Sequence, residues 1–281
     1  MIGQAVGQGF SLTHRLFFAM GLAVLLKATM NALASVFLPI EMINGLVNVP
    51  TMVTMEEFRG HVGPVLGLSA FSMTAALYLL GGIVGSVGRL LRKEPLSFPG
   101  DFFKAANRWF FSLVGWAFGL GLIAIGLAIL VGIVVGFLLA ALRRDQVLQN
   151  VVRLSVMATL LISWTALIFS PAIFVESGCG VWRSLSESFR FTRKHLGGVF
   201  GLIWVVLLVG MGCLLVTHVL ESVVQGLRQV IGIPTSAKGW PVFFFGLILK
   251  LPQSYLTVFF PALLYAYYHA ATSTESPEKI S

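Results

Sequence analysis

The chain has 281 residues, of which 57% are hydrophobic and only 11% are charged, and its formal net charge at pH 7 is +8. Because an ordinary soluble domain carries roughly 25% charged residues, this composition excludes a protein with water on all its surfaces. The basic residues lie in short segments beside apolar runs, where membrane orientation and lipid head groups explain them without a nucleic-acid partner. We therefore predict an all-α integral membrane protein.

Six apolar segments are long enough for a helix to cross a bilayer, which takes roughly 20 residues. Unbroken apolar stretches favour helices over barrel strands, which alternate over about 10 residues. The first and last segments contain lysine or proline, so we expect either to be kinked or partly interfacial. The predicted spans are 16–38, 64–88, 110–141, 154–175, 197–220 and 245–269, within one polytopic domain over 1–281 that ends in a short polar tail, 271–281.

Lysine and arginine outside these spans are distributed unequally between the two sides of the membrane. The positive-inside rule predicts that the richer side is cytoplasmic, which places both termini in the cytoplasm and the protein in the cytoplasmic (inner) membrane. The richer side carries Arg15, Arg89, Arg92, Lys93, Lys104, Arg108, Arg183, Arg190, Arg193, Lys194 and Lys279. The other side carries Arg59, Arg143, Arg144, Arg153, Arg228 and Lys238.

Three short segments of similar type each precede a long apolar run. They are 9–15 (GFSLTHR), 101–109 (DFFKAANRW) and 180–195 (GVWRSLSESFRFTRKH). In the third, Trp182, Leu185 and Phe189 follow helical spacing and the charges fall mainly on another face, as in a helix lying in the membrane interface. The pattern predicts three repeat units, at about 1–92, 93–176 and 177–270, each a cytoplasmic surface helix followed by two spans. The alternative is that basic amphipathic segments recur at cytoplasmic boundaries without a repeat.

Two segments resemble a known family. Residues 176–193 (ESGCGVWRSLSESFRFTR) contain an acidic residue, glycine, an amphipathic helix and a threonine-basic ending, with Ser184 where alanine is usual, and 262–269 (ALLYAYYH) form an aliphatic-aromatic close. They are similar to the membrane domain attached to some glycerophosphodiester phosphodiesterases and to its stand-alone six-span bacterial inner-membrane relatives. The resemblance implies a fold rather than an activity. The soluble phosphodiesterase barrel would need around 250 further residues, and no His-Arg-Gly motif is present.

The cytoplasmic basic residues are the candidates for binding anionic lipid head groups, to which each charge contributes about 1 kcal/mol near such a membrane. Glu176 closes the fourth span, and we expect it either to bond to the free N-terminal amides of the following helix or to pair with an arginine. The head-group candidates are Arg183, Arg190, Arg193, Lys194, Arg89, Arg92, Lys93 and Arg108, with Lys104 beside them.

Other polar residues support weaker hypotheses. Ionisable groups in or beside spans are costly and suggest a transport pathway, although lysine can also extend to the membrane surface. His218 and Glu221, one helical turn apart, are a weak metal candidate that would need further ligands such as His61. We expect no metal or cofactor, and both cysteines are expected to be packing residues. The candidates for transport are Lys27, Asn31, Glu41 and Lys250.

No nucleotide-binding loop, nucleophile elbow or His-Glu-x-x-His motif occurs in the sequence. We therefore predict a non-enzymatic protein that binds or organises anionic phospholipids or supports a partner membrane protein. The alternative is a transporter or permease for a lipid or small molecule, and a third possibility is an intramembrane metalloenzyme.

Overall fold

The computed structural model describes residues 1–37, 55–141, 167–234 and 238–275, together with the single positions 150, 154, 157 and 165. Glu41, Lys279 and most of the predicted fourth span lie outside the described residues. Within the described ranges the secondary structure is helical. The helices are α1 (Ile2–Arg15), α2 (Phe17–Phe37), α3 (Met55–Leu91), α4 (Gly100–Ala141), α5 (Ser170–Ser177), α6 (Val181–Lys194), α7 (Leu196–Ile231), α8 (Trp240–Leu249) and α9 (Leu251–Glu275).

The predicted helical class is confirmed, and the apolar runs lie in long helices. Among the described residues, four helices are long and apolar enough to cross a membrane: Phe17–Phe37, Val62–Leu91, Gly100–Val135 and Leu196–Ile231. A fifth span results if α8 and α9, which are bent by 51° at a short break, are counted together. The predicted last span is thus bent, whereas α2, which corresponds to the first, is a continuous helix. Six spans remain a prediction.

Helix α9 forms the centre of the molecule. It contacts α1, α2, α3, α5 and α7, and its side chains from Val258 to Tyr267 are mostly buried. Tyr265 is fully buried and Tyr267 is 2% exposed. The closing aliphatic-aromatic segment noted in the sequence is therefore a main component of the core, which explains its composition.

Small residues bring α3 and α4 together. Gly81 lies against the backbone of Ala106, since a Cβ added at Gly81 would be 3.4 Å from the Ala106 carbonyl oxygen. Phe102 on α4 lies directly over Gly82 and is fully buried. Glycine at these positions removes the side chain that would hold two helices apart.

The second of the three predicted surface segments is not a separate helix, and the three-unit repeat remains a prediction. Residues 101–109 are the first turns of α4, which continues without a break to Ala141. The physical reason is that Phe102 and Ala106 are fully buried against α3. The buried side of these turns therefore packs within the bundle.

The first and third segments lie in separate helices of similar geometry, although the first helix begins at Ile2, well before the predicted segment 9–15. Both α1 and α6 have 14 residues, and each is joined to a long helix through one residue. The joining residues have similar backbone angles, with φ −94° and ψ 27° at Leu16 and φ −113° and ψ 30° at His195. Both helices also bury a stripe of small residues at the same spacing, namely Ala5, Gly9 and Thr13 in α1 and Ser184, Ser188 and Thr192 in α6.

Candidate functional site

A polar cavity of about 580 Å³ lies where the end of α3, the start of α4 and the end of α5 meet. Its lining includes four basic side chains and three carboxylates, so its formal charge is one positive unit. The basic residues are Arg89, Arg92, Lys104 and Arg108, and the acidic residues are Glu94, Asp101 and Glu176.

The connection between α3 and α4 places the first of these groups. Lys93 has a left-handed backbone conformation, with φ 58°, and the amide of Glu94 donates to the carbonyl oxygen of Arg89. This is the hydrogen-bond pattern of a Schellman helix end, where glycine is usual. At the start of α4, the carboxylate of Asp101 accepts a hydrogen bond of 2.7 Å from the backbone amide of Ser97. The reversal of the chain thereby brings Asp101 back towards the end of α3.

An ion-pair network occupies the wall formed by this connection. Arg89 contacts Glu94 at 3.2 Å and Asp101 at 3.0 Å. The Arg92 Nε donates to Glu94 at 2.9 Å, and this bond lowers the pKa of the Glu94 carboxyl below its usual value. The carboxylates therefore neutralise much of the charge of Arg89 and Arg92.

Glu176 joins this wall to the core helix α9. Its carboxylate accepts a hydrogen bond from the buried hydroxyl of Tyr265, and it lies 3.7 Å from Arg92 and 3.8 Å from the Nδ1 of His269. The following helix α6 begins after Gly180, and no side chain among the described residues caps it. Of the two roles expected for Glu176, the structure shows the pairing with arginine.

Lys104 and Arg108 form a different part of the lining. They are four residues apart on α4 and therefore lie on one face of the helix, and both are exposed. The guanidinium carbon of Arg108 is 5.1 Å from the centre of the Trp109 ring. No ion pair joins either residue to an acidic side chain in the part of the chain that the structure describes. Lys104 interacts with Asp101 only at longer range, so Lys104 and Arg108 carry the one surplus positive charge of the lining.

The basic residues of α6 do not line this cavity. Arg183, which forms a 2.8 Å ion pair with Glu187, is exposed, as are the other basic residues of the helix, Arg190, Arg193 and Lys194. Trp182 and Phe189 are also largely exposed, at 63% and 54%, whereas Leu185 is buried against the bundle. Helix α6 thus has a packed face, a charged face and an aromatic edge. Lys93 is exposed outside the cavity.

The structure places two of the four transport candidates, Lys27 and Lys250, near the bend between α8 and α9. The Lys27 ammonium donates to the carbonyl oxygen of Gln253 at 2.9 Å and to the Thr257 hydroxyl at 2.6 Å. This contact lies on the first turns of α9, just after the bend at Lys250. Asn31 is exposed, and Glu41 lies outside the described residues.

The metal candidates remain an isolated pair among the described residues. His218 Nδ1 is 3.3 Å from the Glu221 carboxylate, and the His218 side chain is 78% exposed. In the described part of the chain, no group of three or more potential metal-ligating side chains comes together. Cys179 and Cys213 are free thiols.

Comparisons with protein-family models, with curated proteins and with solved structures found no match. The resemblance to the phosphodiesterase membrane domain therefore remains a prediction from the quoted motifs.

The sequence pattern indicates the basic residues of the cavity but not most of the acidic and hydrogen-bonding residues that contact them. Glu94 directly follows Lys93, and Asp101 lies three residues before Lys104. This proximity is a weak signal, because charged residues commonly cluster at helix ends. Tyr265 and His269 belong to the quoted closing motif, yet the motif does not show that they reach Glu176, which is 89 residues from Tyr265 in the chain.

Proposed function

We propose that this protein is a non-enzymatic membrane protein that binds anionic phospholipid, and that the polar cavity between α3, α4 and α5 holds the head group. The observation that carries the proposal is the pair Lys104 and Arg108, which faces the cavity and forms no direct ion pair with a carboxylate among the described residues. Phosphate oxygens are suited to such a pair, because charge-assisted hydrogen bonds from Arg and Lys are roughly twice as strong as neutral ones.

The proposed setting is a cytoplasmic membrane, with both termini and the cavity on the cytoplasmic side. The unequal distribution of lysine and arginine supports this orientation, and the aromatic edge of α6 supports its lying in the interface. The six-span topology, with repeat units that begin at α1 and α6, belongs to the same proposal. The matching breaks at Leu16 and His195 support a relation between these two units.

The test is native mass spectrometry of the protein extracted in mild detergent, recording the phospholipid that remains bound. Replacing Lys104 and Arg108 with glutamine removes two cations, each contributing about 1 kcal/mol. Both side chains are exposed, so solvent screens their charges. We therefore expect roughly a tenfold loss of retained anionic lipid, which is a smaller loss than two unscreened charges would cause.

The matched control is the double variant Arg190→Gln and Arg193→Gln, which makes the same change in net charge on the exposed surface of α6. The proposal predicts that this control keeps most of the lipid retained by the wild type. An equal loss in both double variants would show that only the overall charge matters, and it would overturn the assignment of the cavity.

Transport of a lipid or small molecule is a second candidate, supported by the bend between α8 and α9. Broken helices provide binding sites in several transporter folds, and here Lys27 binds the turns next to the break. If the protein moves lipid, proteoliposomes should transfer fluorescent phospholipid between leaflets, and Lys27→Met should slow the transfer. Transfer rates equal to those of protein-free vesicles would reject this candidate for phospholipid.

A further inference from the structure

A second cavity, of about 250 Å³, lies between apolar segments of helices that also line the polar cavity. Its lining is almost entirely apolar and comes from α3, α4, α5, α9 and the segment that leads into α5. For comparison, an engineered apolar cavity of about 150 Å³ accepts benzene. The lining includes Leu80, Val84, Trp116, Leu120, Leu167, Ala172 and Phe260.

Helices α3, α4 and α5 line both cavities, and along each of them the lining changes from polar to apolar residues. On α3 the change falls between Val84, which lines the apolar cavity, and Arg89, which lines the polar one. On α4 it falls between Arg108 and Trp116, about 12 Å apart along the helix axis. On α5, Ala172 and Glu176 are one turn apart.

An apolar cluster includes lining residues of both cavities. It consists of Val84, which lines the apolar cavity, Val175, which lines the polar one, and Phe174, and Trp109 packs against it. The rings of Trp109 and Phe174 meet edge to face, with centroids 5.2 Å apart. Tryptophan is enriched where the hydrocarbon core meets the head groups of a membrane. Trp109 therefore indicates the level at which the polar head group of an amphipathic ligand would end and its acyl chain would begin.

We infer that the two cavities bind one glycerophospholipid molecule, with its phosphate at Lys104 and Arg108 and one acyl chain beside Trp116 and Leu120. This inference rests on the proposed function and adds the tail site and the ligand class. The lining of the polar cavity has one surplus positive charge, which matches a phosphodiester lipid with one net negative charge. Glu94 and Glu176 offer acceptors for hydroxyl groups of such a head group.

Photolabelling tests the position of the tail. The full-length protein is reconstituted in vesicles of phosphatidylcholine containing a small fraction of phosphatidylglycerol with a diazirine on one acyl chain. After irradiation, labelled peptides are identified by mass spectrometry. We expect preferential labelling of the lining residues, with labels at 116–120 and 167–172 that unlabelled phosphatidylglycerol displaces and extra unlabelled phosphatidylcholine does not.

Leu120→Trp fills the apolar cavity and should reduce labelling at 167–172 several-fold. Leu122→Trp is the matched control, because Leu122 is on the same helix but is 48% exposed and outside the cavity lining. Equal labelling in Leu120→Trp and Leu122→Trp, or labels that phosphatidylcholine displaces equally well, would overturn the inference.

Lipid retention and photolabelling together distinguish a failure of the acyl-chain site from a failure of the head-group site. If lipid retention depends on Lys104 and Arg108 but no displaceable label appears at 116–120 or 167–172, the polar cavity binds a head group whose tails remain in the bulk bilayer. If retention does not depend on Lys104 and Arg108, the proposed function itself fails, whatever the pattern of labels.

Discussion

Gly82→Ala should destabilise the protein, because the new methyl group would collide with the ring of Phe102. A Cβ built at Gly82 lies 2.5 Å from Cε2 and 2.7 Å from Cε1 of that ring, whereas carbon atoms in favourable contact are about 3.5–4.0 Å apart. Phe102 must therefore retreat by about 1 Å. It is fully buried, and its ring also contacts Phe18 and Phe103 at centroid distances of 5.8 Å.

The expected magnitude follows from two opposing effects. Overpacking a well-filled core costs about 1–3 kcal/mol, and replacing glycine with alanine inside a helix returns about 0.5–1 kcal/mol. We expect a net loss of about 1–2 kcal/mol in the free energy of unfolding. The assay is reversible unfolding of the purified protein in mixed micelles as the fraction of denaturing detergent rises.

Gly67→Ala is the matched control, since it makes the same change in α3 at a position where nothing lies within 4 Å of the new Cβ. We expect Gly67→Ala to be neutral or stabilising. The double variant Gly82→Ala with Phe102→Leu should recover part of the loss beyond additivity, because the two residues share one contact. A Gly82→Ala variant as stable as Gly67→Ala would refute the close packing of α3 on α4.

Three further predictions concern residues in and next to the polar cavity. Lys93→Gly should stabilise the protein by about 0.5–1 kcal/mol, because glycine adopts the left-handed conformation at this helix end without steric cost; thermal unfolding measures this, and a lower midpoint would contradict it. Tyr265→Phe should cost about 1–2 kcal/mol by removing a buried donor to the partly exposed carboxylate of Glu176, and an unchanged free energy of unfolding would contradict that bond. Because Arg92 lowers the pKa of Glu94, the pair stabilises the fold above the usual carboxyl pKa of about 4.3 and loses this effect as the pH falls further. Acidification should therefore reduce the melting temperature of the wild type more than that of Glu94→Gln, and equal reductions would argue against the pair.

The helical class and the approximate positions of most long helices follow from the sequence. The reason is that the backbone N–H and C=O groups of a long apolar run need internal hydrogen bonds in a bilayer, and a helix provides them. The basic residues of the cavity were also expected at one end of the bundle. The local sequence pattern does not show which side chains pack between helices, and this packing decides the role of each segment. Nothing in 101–109 shows that Phe102 inserts over Gly82, and the sequence alone therefore favours a surface helix where the structure has the start of α4.

Contacts between distant parts of the chain show the same limit. Lys27 binds the backbone of Gln253, which is 226 residues away, and a single sequence contains no signal for that pairing. The similar segments 9–15 and 180–195 lie in α1 and α6, which have 14 residues each. Their matching breaks depend on backbone angles that the sequence pattern cannot give.

The most direct test of the head-group site is a distance between phosphorus and the Lys104 ammonium nitrogen. Solid-state NMR of protein with ¹⁵N-labelled lysine side chains, in bilayers containing phosphatidylglycerol, measures the ³¹P–¹⁵N dipolar coupling, and the variant Lys104→Gln assigns the signal. We predict a phosphorus atom within about 5 Å of this nitrogen, the separation expected for a direct hydrogen bond to a phosphate oxygen. A coupling that is unchanged in Lys104→Gln, or that is absent from the wild type, would contradict the proposed site.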